Sequence, residues 1–153
     1  METIRFRHAH FSARFPVSYR YSPSHFWMAP ENKSETIWRV GFTKFATRML
    51  GELVEMVLDV TQQQSVASGQ RIGSIEGFKA ASDLYCVMKG RFVGSNPTLL
   101  SEACVTRSDP YVEGWLYAVE GIPEEGNLDV HGYIELLTQT IERLHSKRSE
   151  SVE

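Results

Sequence analysis

The sequence predicts a mainly β domain built as a compact barrel or sandwich. Short segments of β-branched and aromatic character recur along the chain, and turn-forming residues separate them. Only two segments show the periodicity of an amphipathic helix. A parallel sheet would need strands that alternate regularly with helices, and the order of segments does not follow that pattern.

Length and composition narrow the class of protein. The chain has 153 residues, of which 42% are hydrophobic and 23% charged, so it is the size and composition of one globular domain. No apolar run approaches the roughly 20 residues that span a bilayer. The formal net charge of −3 gives no general basic surface for nucleic acid. These values exclude disordered, integral membrane and strongly basic proteins.

Residues 1–20 form a basic N-terminal extension with a net charge of +3. A basic, acid-poor N-terminus is typical of a mitochondrial transit segment. The alternation of Ile4 and Phe6 with Arg5 and Arg7 instead favours an extra strand or a strap over the domain. We therefore expect a cytoplasmic rather than a mitochondrial protein, with the main domain at residues 21–153.

A strand is predicted wherever turn-forming residues flank an apolar segment on both sides. The candidate strands are 26–29, 37–41, 53–58, 71–76, 83–87, 91–95 and 114–119. The candidate turns are Pro30-Glu31-Asn32, Ala67-Ser68-Gly69, Lys89-Gly90, Asn96-Pro97 and Asp109-Pro110. This close spacing of short strands indicates an antiparallel barrel or sandwich.

A short internal helix interrupts the strands. Thr43 is a suitable N-cap, since its hydroxyl can accept a bond from the first helical turn. Ala46, Met49 and Leu50 are predicted to form the inward face. Gly51 can end the helix in the left-handed conformation.

A longer amphipathic helix is predicted near the C-terminus, over about residues 129–146. Its apolar stripe recurs at helical spacing and consists of Tyr133, Leu136, Leu137, Thr140, Ile141 and Leu144. Asp129 is a candidate N-cap, and Lys147 and Arg148 suit the negative end of the helix dipole. We expect this helix to pack on the edge of the sheet, with residues after Ser146 frayed.

No combination of residues in the sequence predicts an enzyme. His8-Ala9-His10 lacks the further ligands that a metal site needs. Cys86 and Cys104 are eighteen residues apart without metal-ligand companions, which predicts two reduced thiols. Phosphate-binding loops and nucleophile elbows are absent as well.

Lys79 is the residue with the clearest chemical context. It lies between two predicted strands, 71–76 and 83–87, and would therefore project from the tip of a hairpin. The small residues Ala80, Ala81 and Ser82 follow it and leave the tip open. Glu76 and Asp83 place a carboxylate on each side. This pattern is typical of a lysine that anchors a covalent cofactor.

The segment Glu76-x-x-Lys79-Ala80-x-Ser82-Asp83 resembles the lipoyl-attachment signature of glycine cleavage system H proteins. Other motifs of that family follow in the same order. They are Tyr21-Ser22-Pro23-Ser24-His25-x-Trp27, Val40-Gly41-Phe42-Thr43 with Ala46, Leu50-Gly51-Glu52-Leu53-Val54, residues 90–96, and Asp109-Pro110-Tyr111-x-x-Gly114-Trp115-Leu116. The resemblance covers residues 21 to about 120.

The resemblance implies a barrel-sandwich hybrid fold with lipoate amide-linked to Lys79. It implies a non-catalytic carrier whose arm takes an aminomethyl group from glycine decarboxylase and delivers it to aminomethyltransferase. Dihydrolipoyl dehydrogenase would reoxidise the arm, and a lipoate ligase or a lipoyl/octanoyl transferase would attach it. In such carriers the cofactor supplies the chemistry and the protein presents it.

Two features depart from the family pattern near the arm. Family members use a glutamate of the opening strand and an aspartate, here Asp83, to hold the loaded amine, but the glutamate position is Phe26. The usual Ser-Val before the lysine is Gly77-Phe78. Because a cationic amine needs anionic partners, Phe26 predicts weaker aminomethyl loading with lipoylation retained.

These departures leave two alternatives to glycine cleavage. H-like lipoate-binding proteins also serve other relays such as bacterial sulfur oxidation, and in such a relay Cys86 could exchange with the dithiolane. Cys86 is equally a small strand residue that packs in the core. The other alternative is an unmodified scaffold, or a store of lipoate for transfer to other proteins.

Overall fold

The computed structural model describes residues 1–152, with side chains through residue 147. The strands are β1 (Thr3–His8), β2 (Phe11–Pro16), β3 (Arg20–Tyr21), β4 (Phe26–Pro30), β5 (Ile37–Phe42), β6 (Leu53–Leu58), β7 (Ser65–Val66), β8 (Arg71–Gly77), β9 (Ala81–Tyr85), β10 (Met88–Ser95) and β11 (Trp115–Pro123). The helices are α1 (Lys44–Leu50), α2 (Val105–Ser108) and α3 (Val130–Val152), with a 3-10 turn at Pro97–Leu100.

The strands form antiparallel sheets, which confirms the mainly β prediction. The larger sheet has six strands in the order β3-β4-β5-β11-β10-β7, and the smaller has three in the order β6-β8-β9. A separate hairpin pairs β1 with β2. In this arrangement β8 and β9 are neighbours, and the chain between them forms an exposed hairpin tip.

One hydrophobic cluster lies between the two main sheets. The larger sheet contributes Met28, Val40 and Leu116, and the smaller contributes Ile72 and Leu84, all of them fully buried. This cluster is the core of the barrel-sandwich, and the burial of its apolar side chains is the main force that holds the sheets together.

A second hydrophobic cluster lies on the other face of β4 and is largely aromatic. It joins the N-terminal hairpin to α3, and its members include Phe6, Phe11, Phe15, Tyr21, Trp27, Tyr133 and Leu137. Residues 1–20 therefore contain a whole two-stranded hairpin instead of a single extra strand. The hairpin is packed against the domain through its aromatic side chains.

Several strand boundaries differ from the predictions, and β11, expected at 114–119, runs from Trp115 to Pro123. The strand expected at 83–87 runs from Ala81 to Tyr85, because the backbone N–H of Gly77 donates to the Ala80 carbonyl at 2.8 Å and closes a very tight turn. Lys89-Gly90 was expected to form a turn but lies inside β10. Gly90 is needed there because a side chain would overlap the backbone carbonyl of Glu120 on β11.

Helix α1 confirms its predicted caps but not all of its inward face. The hydroxyl of Thr43 accepts a bond from the Ala46 N–H at 3.4 Å, and Gly51 ends the helix with φ at +78°. Leu50 is buried, whereas Met49 is 49% exposed, so its predicted inward position is wrong.

Helix α3 confirms the predicted C-terminal helix, and its amphipathic stripe faces the domain except at Leu144, which is 41% exposed. The carboxylate of Asp129 accepts a bond from the Gly132 N–H at 2.8 Å, and Tyr133 and Leu137 are fully buried. The helix continues past residue 146 to Val152 instead of fraying. The side chain of Arg148 lies outside the described residues. No helix in the described part of the chain is long and apolar enough to cross a membrane.

Candidate functional site

Lys79 lies at the tip of the β8–β9 hairpin, as the sequence predicts. Gly77 and Ala80 close the turn through a backbone hydrogen bond, which leaves Phe78 and Lys79 outside the ladder. Both side chains are exposed, and Phe78 is 76% exposed.

The tip is fixed to the chain that follows α1. The Phe78 N–H donates to the Glu52 carbonyl at 3.0 Å, and the Lys79 N–H donates to the Leu50 carbonyl at 2.9 Å. The ammonium of Lys79 donates to the carbonyl of Arg48, in the last turn of α1, at 3.3 Å. The backbone that carries the lysine is therefore held in place, while its amine makes one exposed bond that modification can replace.

Two glycines allow this close approach. A Cβ on Gly51 would lie 3.0 Å from Cγ and 3.1 Å from the backbone nitrogen of Lys79, and the φ of Gly51 is +78°. A Cβ on Gly77 would overlap the Leu50 carbonyl. The Leu50-Gly51-Glu52 part of the sequence pattern thus supports the hairpin tip directly.

A cleft of about 490 Å³ runs beside the hairpin. The hairpin contributes Ala80, Ser82, Asp83, Ile75 and Tyr85, helix α1 contributes Phe45, Ala46, Met49 and Leu50, and the larger sheet with its preceding turn contributes Ser24, His25, Phe26 and Phe42. Because Ala80 adjoins Lys79, a chain attached to the lysine begins at the edge of this cleft.

Phe26 makes one wall of the cleft apolar. It lies opposite Phe42 in the β4–β5 pairing, and the two rings stack at 5.7 Å with an angle of 29° between planes. Among the cleft residues described, Asp83 is the one carboxylate. Phe26, the predicted departure from the family pattern, thus forms a wall of the cleft beside Lys79.

The carboxylate of Asp83 is already shared with a neighbouring cation. It accepts a bond from Arg71 Nε at 3.0 Å, and the same guanidinium contacts Asp59 at 2.5 Å. The Tyr85 hydroxyl donates to the other Asp83 oxygen at 3.3 Å. Since Arg71 offsets part of its charge, Asp83 offers a weak partner for a further cation.

His25 adds no charge to the cleft at neutral pH. Burial lowers the pKa of its imidazole to about 4, because the charged form loses water. Its Nδ1 lies 2.9 Å from the Tyr133 hydroxyl, which in turn lies 2.8 Å from the Thr43 hydroxyl. This network joins the start of β4, the N-cap of α1 and helix α3.

The remaining predicted residues lie outside the cleft. Glu76 is exposed and pairs opposite Glu55 on the outer face of the smaller sheet. Phe78 projects from the tip itself. The structure therefore brings Phe26 and Asp83 together in the cleft beside Lys79 and leaves Glu76 and Phe78 exposed outside it.

Cys86 is not placed for exchange with an arm. Its thiol is 1% exposed and lies 3.1 Å from the Met88 carbonyl, to which it donates. Burial raises the pKa of this thiol and disfavours the reactive thiolate. Cys104 is exposed, and both cysteines are free thiols. Within residues 1–147, no three metal-ligating side chains come together.

Sequence reasoning did not identify the residues that line the cleft on the side opposite the hairpin. His25, Phe42 and Ala46 belong to the motifs quoted above, yet their spacing along the chain gave no reason to place them beside Lys79. One local signal was available, since Thr43 and Gly51 fix both ends of the helix that forms the cleft floor.

The two-sheet β domain with a lysine on a hairpin tip has the barrel-sandwich architecture of a carrier protein. A family model described as glycine cleavage H-protein matches residues 19–137. A crystal structure of a glycine cleavage system H protein from Mycobacterium marinum superimposes with a TM-score of 0.68 at 30% identity, and covers 78% of this chain and 95% of that one.

Curated relatives agree with the family model. A glycine cleavage system H protein of Coxiella burnetii is 35% identical over 129 residues, which is 82% of this chain and 96% of the relative. Another from Corynebacterium jeikeium is 36% identical over 115 residues, or 74% and 88% of the two chains. The chain belongs to the glycine cleavage H-protein family.

Proposed function

We propose that this protein is the lipoyl carrier of a glycine cleavage system, with lipoate amide-linked to Lys79. The observation that carries the proposal is the exposed lysine on a fixed hairpin tip, 3.3 Å from a helix carbonyl and beside a largely apolar cleft. An acyl chain fits such a cleft because its methylenes gain from leaving water.

The protein's own residues position the arm, while lipoate supplies the redox and group-transfer chemistry. Hydrogen bonds from Phe78 and Lys79 to the α1–β6 connection hold the base of the arm. A tethered arm reaches several partner sites at high effective concentration, so the carrier needs no active site of its own. Acylation also removes the charge of Lys79 and leaves Glu52, Glu76 and Asp83 nearby, an acidic surface that partners can recognise.

The proposed partners follow from this role. The aminomethyl group of glycine would pass from glycine decarboxylase to aminomethyltransferase, and dihydrolipoyl dehydrogenase would reoxidise the arm. A lipoate ligase or a lipoyl/octanoyl transferase would attach lipoate, meeting Phe78 and the small residues Ala80 and Ala81 at the tip. We propose a cytoplasmic site for these reactions, since the relatives are bacterial.

A reconstituted system tests the proposal. Lipoylated protein is mixed with glycine decarboxylase, aminomethyltransferase and dihydrolipoyl dehydrogenase, with NAD⁺ as the oxidant and a tetrahydrofolate as the one-carbon acceptor, and NADH formation from glycine is followed. Turnover is expected with the wild type and none with Lys79→Arg, which keeps the charge but accepts no lipoate. Absence of turnover from the lipoylated wild type, where the Coxiella burnetii relative is active, would contradict the glycine cleavage function.

The Phe26–Phe42 wall favours one second candidate, a lipoyl carrier of another relay. A cleft with an aromatic pair and one ion-paired carboxylate suits cargo that carries no positive charge. Burial of Cys86 gives no support to its taking part in thiol exchange. Full lipoylation without turnover in the reconstituted system would favour this candidate, and absence of lipoylation would favour the unmodified scaffold.

A further inference from the structure

A second groove lies on the other side of α1 from the hairpin. Its volume is about 560 Å³, and the turn of the N-terminal hairpin, helix α1 and the C-terminal part of α3 enclose it. Phe11, Phe45, Ile141 and Leu144 give it an apolar floor, and His8, His10, Arg48, His145 and Lys147 lie around its rim.

Segments outside the family match build most of this groove. The glycine cleavage H-protein model ends at residues 19 and 137, whereas His10 and Phe11 precede that range and Ile141 and Leu144 follow it. Arg48 fixes the junction between these segments, since its guanidinium lies 5.8 Å from the Phe11 ring and donates to the His10 carbonyl at 3.5 Å. The groove is therefore formed by the ends of this particular chain.

The groove and the cleft beside the hairpin share a wall. Phe45 and Met49 line both of them. Phe45 is buried and forms a fixed partition, but Met49 is 49% exposed. Phe45 and Met49 form a ridge between the two grooves. Because a methionine side chain is unbranched and flexible, the Met49 part of this ridge can move aside.

Lys79 lies at one end of that ridge. Its ammonium is 3.3 Å from the carbonyl of Arg48, and the side chain of Arg48 lines the second groove. Ala80, the next residue, lines the cleft on the hairpin side. A chain attached to the Lys79 nitrogen therefore starts between the two grooves and has an apolar surface on each side.

We propose that the second groove is an alternative docking site for the acyl arm on Lys79, which rests on the proposed lipoylation of that residue. The arm is an apolar chain that ends in a dithiolane, and the floor of the groove offers Phe11, Ile141 and Leu144 to it. Apolar surface buried in this way favours docking in proportion to its area. An arm docked there is withdrawn from Asp83 and the hairpin cleft.

Thiol trapping tests the docking site. In a Cys104→Ser background, Leu144→Cys places a thiol on the floor of the groove. Its thiolate attacks one dithiolane sulfur of the oxidised arm, which forms a mixed disulfide and releases the other arm sulfur as a thiol. Iodoacetamide alkylates the released thiol so that the ring cannot close again, and peptide mass mapping identifies the linked residues.

Two further cysteine variants provide reference rates for the trapping of the arm. Ser82→Cys reports docking in the hairpin cleft. Ile122→Cys, at a position that is 62% exposed, lies on β11 opposite Lys89 of β10, in the larger sheet and outside the residues that line either groove. We expect trapping at Leu144→Cys at least about ten-fold faster than at Ile122→Cys, since docking raises the effective concentration.

The outcomes separate this inference from the proposed function. A lipoylated protein trapped at Ser82→Cys but no faster at Leu144→Cys than at Ile122→Cys would overturn the docking site and leave the carrier intact. Absence of a lipoyl adduct in the intact mass would overturn both. Should Leu144→Cys fail to fold, the exposed His10→Cys on the opposite wall replaces it and is judged by the same ratio.

A measurement without substitutions gives a second readout. Lipoylation of the wild type is expected to shift the methyl resonances of Met49, Ile141 and Leu144 in NMR spectra. Unchanged resonances at Ile141 and Leu144, with shifts confined to the hairpin cleft, would overturn the docking site.

Discussion

At the scale of single residues, Phe26 makes one wall of the cleft beside Lys79 uncharged. Because Asp83 shares its carboxylate with Arg71, an aminomethylated arm meets little free negative charge there. Phe26→Glu is expected to raise the turnover of the lipoylated protein in the reconstituted system by about ten-fold or more, since a charge-assisted hydrogen bond contributes roughly 1.5–3 kcal/mol.

A matched variant separates charge from loss of the ring. Phe26→Gln has the shape of the glutamate without its charge and is expected to stay at or below the wild-type rate. Equal turnover of wild type, Phe26→Glu and Phe26→Gln would show that this position does not govern loading.

Gly51 allows the close approach of Lys79, since a Cβ there would lie 3.0 Å from the Lys79 Cγ. Gly51→Ala is expected to lower the free energy of unfolding by about 1 kcal/mol or more, because φ is +78°, and also to slow lipoylation, because the new Cβ crowds Lys79. Urea unfolding and the time course of lipoylation by mass spectrometry measure the two effects.

Gly69→Ala is the control for backbone strain. Gly69 has φ at +84° but nothing within 4 Å of its Cβ position. Gly51→Ala is expected to lose at least as much stability as Gly69→Ala, with slower lipoylation in Gly51→Ala alone. Equal lipoylation rates would mean that Gly51 serves only the end of the helix.

At the scale of elements, His25 links β4, α1 and α3 and makes their packing sensitive to pH. The folded pKa of about 4 is below the ordinary value of about 6.5, so the unfolded chain binds the proton first as the pH falls. Stability is therefore expected to fall between about pH 6.5 and pH 4, by about 2–3 kcal/mol from this group.

Urea unfolding at pH 7.5 and pH 4.5 measures this loss. His25→Asn provides the comparison, since asparagine tolerates the φ of 74° and does not titrate in this range. Because other groups also titrate, the prediction concerns the difference between the two proteins. An identical loss in wild type and His25→Asn would contradict it.

The N-terminal hairpin and α3 are held together by Phe15. Its ring lies 5.9 Å from Phe6, 6.1 Å from Tyr21 and 5.4 Å from Tyr133, and it is fully buried. Phe15→Ala is expected to lower the free energy of unfolding by about 3–5 kcal/mol, as for other large core truncations.

Phe78→Ala is the control for loss of an aromatic ring. Since Phe78 is 76% exposed, its truncation is expected to change the free energy of unfolding by no more than about 0.5 kcal/mol. A small effect of Phe15→Ala in the same urea titration would mean that the N-terminal hairpin is not part of the cooperative fold.

At the scale of the whole molecule, strand β4 joins the two hydrophobic clusters. Trp27 packs in the aromatic cluster and Met28 in the core between the sheets, because successive side chains of a strand point to opposite faces. The N-terminal hairpin and α3 thereby become part of the same body as the sheets that present Lys79. Both grooves near the lysine depend on this arrangement.

Signals in the local sequence predicted the secondary structure of this molecule better than they predicted its tertiary contacts. The caps Thr43 and Gly51 and the hairpin around Lys79 follow from short-range chemistry, and the structure confirms them, although β9 lies at Ala81–Tyr85 instead of 83–87. Lys89-Gly90 has turn composition but lies in a strand, because the glycine makes room for a neighbouring carbonyl. Local patterns could not reveal the exposure of Met49, which depends on which elements happen to pack against α1.

The candidate site shows the same division. Lys79 and its flanking carboxylates were recognisable as a short motif, and Phe26 as a departure from the family pattern. The ion pair that engages Asp83 and the two grooves that flank α1 arise from elements far apart in sequence. Such contacts are set by packing, so one sequence alone could not predict them.

The central claim is that Lys79 carries lipoate, and intact mass with peptide mapping tests it most directly. The protein is co-expressed with a lipoate ligase and lipoate, beside Lys79→Arg and Lys89→Arg. One lipoyl adduct is expected on the wild type and on Lys89→Arg, mapped to the peptide that contains Lys79, and none on Lys79→Arg. An unmodified wild type, or an adduct that persists in Lys79→Arg, would contradict the claim.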